Sequence, residues 1–390
     1  MAEHKLGIAV IGLGGAVGTT MAAGVELLRK GEIGVEGLPL AGINAGLAGY
    51  SDITIAGWDL FGDHLAAAAK QHDVLSLKQF SAVEADLRAI SPWPSAGDAN
   101  FLANVSGENL IERRSHRDKV EKIRSDLRGF TGRCDSVVVI NLASTEKLTA
   151  EGNEIFNSLA AFESALDADS ADISPAMLYA YAAIAEGVPY GNFTPSAAAD
   201  IPALIEFAGQ NNVPIAGKDG KTGQTFIKTV LAPALKARAL KIDGWYSTNI
   251  LGNRDGLALS DDDSLASKVK TKSSVLDDML GYRVEDHIVD IRYYRPRGDN
   301  KEAWDNIDIT GFLGQPMQIK VNFLCRDSIL AAPLAIEIAR CLDLAKRQGR
   351  SGIQEQLSVF FKLPMARSGR PVHAFHDQEK MLIDWLQAQH

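Results

Sequence analysis

Lys268 and Lys272 stand four residues apart in SKVKTKSSVLDDML. On a helix or its leading turn they would share one face, with about 5–6 Å between Cβ atoms. Two ammonium groups that close repel, and each lowers the other's pKa, unless an anion or a carboxylate lies between them. Such a pair could grip a phosphate, steady an oxyanion or pass a proton. On spacing alone it could equally be a solvated basic helix end. Lys362 follows Val359-Phe360-Phe361, where a lysine is costly if buried and so needs a partner or a task. Lys301 in GDNKEAW and Asp327 in CRDS are unremarkable one at a time, and NILGNRDG puts Asn253 and Asp255 in a turn after a strand.

The stretch AGKDGKTGQT, residues 216–225, resembles a nucleoside triphosphate loop at first sight. That loop requires G-x-x-x-x-G-K-[ST]. Counting back from Gly220-Lys221-Thr222, its first glycine falls on Ile215, and starting from Gly217 leaves the loop two residues short. The stretch instead follows the apolar VPI as a strand end. Open α/β sheets bind ligands beyond the carboxyl ends of their strands, so Asp219 and Lys221 would be delivered to that edge. The plain alternative is a polar turn. His373 and His376 lack nearby cysteines and a clear helix, which makes them a poor metal pair.

The elements that must carry these residues begin with LGIAVIGLGGAVGTTMAAGVELLRKG, a strand, a glycine turn and a helix. Gly12, Gly14, Gly15 and Gly18 form G-x-G-G-x-x-G. Glycines there permit a tight turn and close approach of a pyrophosphate, which the helix N-terminus attracts. Asp59 ends the strand ITIAGWD and could hold a ribose, although it lies farther along than the usual ~20 residues. Further apolar strands are expected at 136–144 and 213–219, with helices around 151–164, 175–186 and 200–210. The alternation predicts a Rossmann-type doubly wound parallel sheet. After about residue 225, KIDGWYSTNILG, HIVDIRYYRPRG and QPMQIKVNFLCRD half-alternate, as in an antiparallel or mixed sheet. ILAAPLAIEIARCLDLAKRQG then reads as an amphipathic helix. The expected division is a dinucleotide-binding domain over 1–225 and 329–390, with an inserted α+β domain over 226–328.

Composition sets the background. The chain has 390 residues, 46% of them hydrophobic, and a net charge of −9. That balance gives no general attraction to nucleic acid or anionic membranes. An anionic substrate would need a local basic pocket. Three cysteines without a CxxC pair speak against a disulfide framework or a structural zinc. No run reaches the roughly 18 apolar residues of a membrane span, and a cytoplasmic location is expected.

Taken in order, GLGGAVGTT, AGWD, NLASTE, NFTPS, AGKDGKTGQT, NILGNRDG, SKVKTKSSVLDDMLGY, DNKEAWD, FLCRDSILAAPL and VFFKLPM resemble the myo-inositol-1-phosphate synthase family over nearly the whole chain, and its shorter bacterial and archaeal members in particular. The resemblance implies a retained NAD and glucose 6-phosphate as substrate. C5 is oxidised by hydride transfer, C6 loses a proton, the resulting enolate attacks the C1 aldehyde, and the new ketone is reduced by the stored hydride. Lys268 and Lys272 would then serve the substrate oxygens, Lys362 the C1 and C5 oxygens, and Lys301 the phosphate or a proton relay. Asp219, Asp255 and Asp327 match the family's site carboxylates, and Asp219, Asn253 and Asp255 would also reach the cofactor. Asn141, Ser144 and Thr145 would approach the nicotinamide. Asn192, Thr194 and Ser196 would line the cofactor or phosphate, with Lys221 as a further substrate contact. The resemblance also suggests a homotetramer through the inserted domain, and a divalent metal or monovalent cation as a second cofactor.

The family's Gly-Asp-Asp is Gly217-Lys218-Asp219 here. That reversed charge leaves the cation open, and with it a sister carbocyclase acting on another sugar phosphate such as fructose 6-phosphate. An NAD-dependent dehydrogenase with net redox and an inactive NAD-binding regulator are the remaining alternatives.

Overall fold

The computed structural model describes residues 4–102, 105–112, 115–147, 149, 152–252 and 275–388. A seven-stranded parallel sheet forms its main body. The strands are β1 (Leu6–Ile11), β2 (Ile53–Asp59), β3 (Trp93–Pro94), β4 (Ser136–Asn141), β5 (Tyr190–Asn192), β6 (Pro214–Gly217) and β11 (Gly352–Ile353), in the order β11-β6-β5-β4-β1-β2-β3. Every residue of β1 is buried, as expected for a parallel strand covered on both faces. The chain steps from β1 to β2 on one side and to β4 on the other. The order therefore reverses between β1 and β4, and a crevice opens beyond their carboxyl ends. Ile11 and Asn141 are register partners at that point.

Two apolar layers cover the sheet. The Ala16–Arg29, Asp327–Arg347 and Phe375–Gln387 helices pack on one face. The His116–Thr131, Leu159–Asp167 and Pro175–Ala185 helices pack on the other. Between β6 and β11 the chain leaves this body and builds a second sheet from β7 (Lys241–Leu251), β8 (Asp286–Tyr293), β9 (Asn300–Thr310) and β10 (Pro316–Arg326), in the order β10-β9-β7-β8. Only β7 and β8 run parallel there. The fold is thus an α/β dinucleotide-binding sheet with an inserted mixed-sheet part. The Gln224–Ala237 helix packs on the inner face of the second sheet, around Trp245, Ile307 and Ile309.

The structure corrects three details of the sequence reading. The strand expected over 136–144 stops at Asn141, and residues 142–144 turn into the crevice instead. β9 escaped detection because its inward positions read Ala303, Asp305, Ile307 and Ile309, with a carboxylate in the middle. The Asp327–Arg347 helix is not amphipathic along its length, since Ala335 to Ala345 are buried without a break. Its charges are hidden by pairing, as burial requires. Glu337 accepts from Arg340 at 2.6 Å and from Tyr50 Oη at 2.5 Å. Arg340 donates to the Ala48 carbonyl at 2.7 Å and lies 4.0 Å from the Tyr50 ring. His4, Ser136 and Arg347 surround Asp343. These bonds tie the 40–50 segment to the helix. Among the described residues, the three cysteines are free and no helix is long and apolar enough to cross a membrane.

Glu337→Ala leaves Arg340 buried without its carboxylate, and should destabilise the fold by about 3–5 kcal/mol. Urea unfolding measures this as a lowered midpoint. A loss under about 1 kcal/mol would show that the pair does not hold the 40–50 segment.

Candidate active site

A cleft of about 200 Å³ lies beyond the carboxyl ends of β1, β2, β4 and β6. Its first wall is the glycine turn. Gly12 has φ +84°, and a Cβ there would come within 2.9 Å of the Ala143 backbone. A Cβ on Gly18 would come within 2.4 Å of the Leu13 carbonyl. Both positions therefore demand glycine. Gly14 N–H donates to Asp59 Oδ2 at 2.8 Å, and Phe61 N–H donates to Asp59 Oδ1 at 3.0 Å. The strand-end carboxylate is thus fixed against the turn, as a ribose-binding acid must be. Gly12, Gly15 and Asp59 line the cleft.

The second wall comes from the ends of β4 and β5. Asn141, Ser144, Thr145, Thr194 and Ser196 line it. Asn192 does not. Its Oδ1 accepts from Thr194 N–H and Thr194 Oγ1, and its Nδ2 donates to the Ser196 carbonyl at 2.8 Å. Asn141 Nδ2 donates to the same Oδ1 at 3.3 Å. Asn192 was expected as a ligand contact, but its hydrogen bonds tie the wall together instead.

The third wall carries the charges. Lys362 Nζ donates to Asp219 Oδ1 at 2.7 Å, and the two side chains are 12% and 5% exposed. Asp219 Oδ2 is buried and has no hydrogen-bond partner among the described residues. The backbone repeats the contact. Lys362 N–H donates to the Asp219 carbonyl, while Lys218 and Leu363 exchange N–H···O bonds at 2.8 and 3.1 Å. Lys301 at the start of β9 faces Asp327 at 3.5 Å, and Asp327 Oδ1 also accepts from Thr222 Oγ1 at 3.1 Å. Asp219, Thr222, Lys301, Asp327, Ser328 and Lys362 all line the cleft. Two cation–carboxylate pairs, delivered by different sheets, therefore meet one cavity beside the glycine turn.

Other sequence candidates fall elsewhere. Lys221 turns away from the cleft. Its Nζ bonds Gln378 Oε1 and lies 5.4 Å from the Phe375 ring, and burial pulls its ammonium down to about 7. Lys218, the reversed charge, pairs with Asp200 at 2.6 Å and does not line the cleft. Lys268, Lys272, Asn253 and Asp255 lie outside the described residues. His373 is buried near Asp278 at 3.9 Å, whereas His376 pairs with Glu379 on an exposed helix face. Among the described residues no group of three His, Cys, Asp or Glu could hold a metal.

Sequence reasoning missed His72 and Glu146. His72 Nε2 contacts the Gly14 carbonyl at 2.9 Å and lines the cleft. Nothing local marks it, because it is the last residue of the Leu65–His72 helix and its role comes from packing alone. Glu146 ends NLASTE, and nothing in its local sequence marks it as interior. Its N–H donates to Ser196 Oγ at 2.9 Å, and its Oε1 accepts from Ala176 N–H at 3.0 Å. Burial pushes its carboxyl up to about 7.

The sequence profile of myo-inositol-1-phosphate synthase matches residues 44–387. The chain belongs to the myo-inositol-1-phosphate synthase family. Inositol-3-phosphate synthase 1 of Bacteroides thetaiotaomicron is 44% identical over 99% of this chain and 95% of its own length. Inositol-3-phosphate synthase 1 of rice is 30% identical over 98% of this chain and 86% of its own. Among solved structures, inositol-3-phosphate synthase of Caenorhabditis elegans superposes with a TM-score of 0.92 at 26% identity, covering 99% of this chain and 86% of the other. A myo-inositol-1-phosphate synthase-related protein of Thermotoga maritima gives 0.82 at 26%, covering 98% and 99%. This member of the family is an enzyme of the isomerase class with an NAD-binding fold.

Glu146 makes stability depend on pH. Its carboxyl titrates near 4.5 when unconstrained and near 7 in the fold. The folded state therefore disfavours ionisation. The penalty is absent below about pH 4.5 and complete above about pH 7, where it is on the order of 3 kcal/mol. Glu146→Gln should remove it. The stability of the variant relative to the parent should then rise by about 3 kcal/mol between pH 4.5 and 8 in urea titrations. A difference that stays flat with pH would show that Glu146 is not held in the protonated range.

Proposed function

We propose that the chain converts D-glucose 6-phosphate to 1D-myo-inositol 3-phosphate with no net oxidation. The observation that carries this reading is the two largely buried ion pairs, Lys362–Asp219 and the more open Lys301–Asp327, facing the cleft beside the glycine turn. A dehydrogenase needs one place for hydride transfer. A cyclising enzyme must also stabilise an enolate and an aldolate, each a transient oxyanion, which preorganised cations do far better than water.

The cleft fits NAD. The turn at Gly12 to Gly15 leaves the backbone open to a pyrophosphate, and Asp59 is held where a ribose needs an acceptor. Asp219 Oδ2 is a buried acceptor with no donor among the described residues, which a bound donor would satisfy. Asn141, Ser144 and Thr145 would flank the nicotinamide end. When bound, NAD takes a hydride from the sugar and later returns it.

The remaining chemistry falls to the side chains. Lys362, with Asp219 fixing its ammonium, would stabilise the oxygen that gains charge at the reacting carbon. Lys301 would balance the phosphate, which carries about −1.5 to −2 charges at neutral pH. The Gln224–Ala237 helix begins at the cleft edge, next to Thr222. Among the described residues no side chain caps its first turn, and Thr225 Oγ1 there is buried without a partner. Free N–H groups at a helix start attract a phosphate, so we place the phosphate at Gly223 to Thr225. By family resemblance Lys268 and Lys272 would serve the substrate oxygens, and the inserted part, residues 226–328, would carry the tetramer contacts. The pairing of Lys218 with Asp200 removes the reason to favour another sugar phosphate.

Incubation with glucose 6-phosphate and NAD should yield an inositol phosphate, detected by mass and NMR. Lys362→Ala should bind NAD within a few-fold of the parent and lose about 10²–10³ in kcat. No product from the parent, or near-parental turnover by the variant, would contradict the reading.

A further inference from the structure

Behind the first turn of the Gln224–Ala237 helix lies a buried polar group that the reaction does not use. Asp305, on β9, is 1% exposed. Its Oδ1 accepts from Trp245 Nε1 and Ser247 Oγ, each at 2.7 Å, and its Oδ2 accepts from Gln224 Nε2 at 3.2 Å. Gln224 is the first residue of the helix and is 3% exposed. Its Oε1 accepts from Asn249 Nδ2 on β7. One amide side chain is thus held at both ends by two strands. One helical turn further on, Lys228 is 1% exposed, bonded to His287 Nε2 at 2.7 Å and 5.5 Å from the Trp245 ring. It is the buried cation whose ammonium Asp305 favours against the pull of burial.

Balancing Lys228 calls for a carboxylate nearby, but it does not require that the carboxylate also grip Gln224, so that second contact calls for a reason of its own. The local geometry supplies one. The helix start is preceded by Gly223 and, among the described residues, has no capping side chain, so no described cap sets the direction of the first N–H groups. The Gln224 clamp does. The strand that carries Asp305 also carries Lys301, four residues earlier. β9 therefore fixes the cation and the helix terminus in one frame.

We propose that Asp305 is a positioning residue for phosphate capture: through Gln224 it locks the first turn of the Gln224–Ala237 helix in register with Lys301. The inference rests on the placement of the phosphate at that helix terminus. In Asp305→Asn the shape is kept, but the new amide sets a donor against Gln224 Nε2. Releasing a hydrogen bond to a charged group in this way is worth about tenfold in affinity.

The test is calorimetric binding of inorganic phosphate and of glucose 6-phosphate to the NAD-loaded protein, with Tm and NAD affinity measured alongside. Asp305→Asn should weaken both ligands about tenfold and raise KM by the same factor, with kcat at saturation and NAD affinity little changed. Asn249→Ala, which removes the other end of the clamp, should weaken both about threefold. Ser247→Ala touches only the far oxygen of Asp305, and should lower Tm without moving either affinity. Parental phosphate affinity in Asp305→Asn and Asn249→Ala, at reduced Tm, would overturn the inference and leave Asp305 with a role in stability alone. If Asp305→Asn does not fold, the contrast between Asn249→Ala and Ser247→Ala decides. A parent that binds phosphate but makes no inositol phosphate would sink the substrate reading while these affinities still judge Asp305. A parent that binds no phosphate overturns both.

Discussion

Lys362 and Asp219 are joined by their side chains and again by their backbones. The side chains meet at 2.7 Å, and the Lys362 N–H donates to the Asp219 carbonyl at the same distance. The segment after β6 and the segment before Leu363 run as a short antiparallel pair, with Gly220 bridging Phe361. A lysine beside Phe360 and Phe361 would be expensive to bury alone. Here the ladder delivers its counter-charge with no side-chain search. The ammonium is therefore held in place before any substrate arrives, which is the condition for electrostatic stabilisation of a transition state.

The rest of the architecture serves to bring other groups to this pair. The parallel sheet reverses its strand order between β1 and β4, and places the glycine turn, Asp59 and the 141–146 loop along one edge. The chain then departs after β6, builds the second sheet, and returns through Asp327 at the head of a long buried helix. Lys301 and Asp327 sit at adjacent strand ends of that excursion, since Lys301 pairs with Cys325 in the β9–β10 register. The excursion adds a second cation–carboxylate pair to a cavity to which the parallel sheet already brings Lys362 and Asp219. The buried ion pairs around Glu337 and Asp343 hold the returning helix against the sheet, and so fix where its first residues point.

Much of this was legible in the sequence, and the exceptions have physical causes. The parallel strands are short apolar runs, and the glycine turn has a spacing that sterics dictate, so both could be read locally. Lys362 stood out because its apolar neighbours made it costly. Asp219 was placed at the ligand edge by strand context. Burial of polar groups could not be read. Asn192, Lys221 and Lys218 have the right chemistry for ligands, but Asn192 is occupied by Thr194 and Ser196, Lys221 by Gln378, and Lys218 by Asp200. Glu146 and Asp305 are interior acids that nothing in their local sequence marked. Asn192 closes a local turn on Thr194 and Ser196, and the partners of Lys221, Glu146 and Asp305 lie 30 to 157 residues away, neither of which periodicity reveals. The β9 strand was missed for the same reason, because Asp305 breaks an inward alternation that only its buried donors make tolerable.

The central claim is that a hydride leaves the sugar and comes back to the same carbon within one closed site. Glucose 6-phosphate carrying deuterium at C5 tests it directly. The account predicts an inositol phosphate that retains the deuterium at the corresponding carbon, with no accumulation of reduced cofactor. Deuterium appearing in free NADH in proportion to turnover, or lost to solvent, would contradict it.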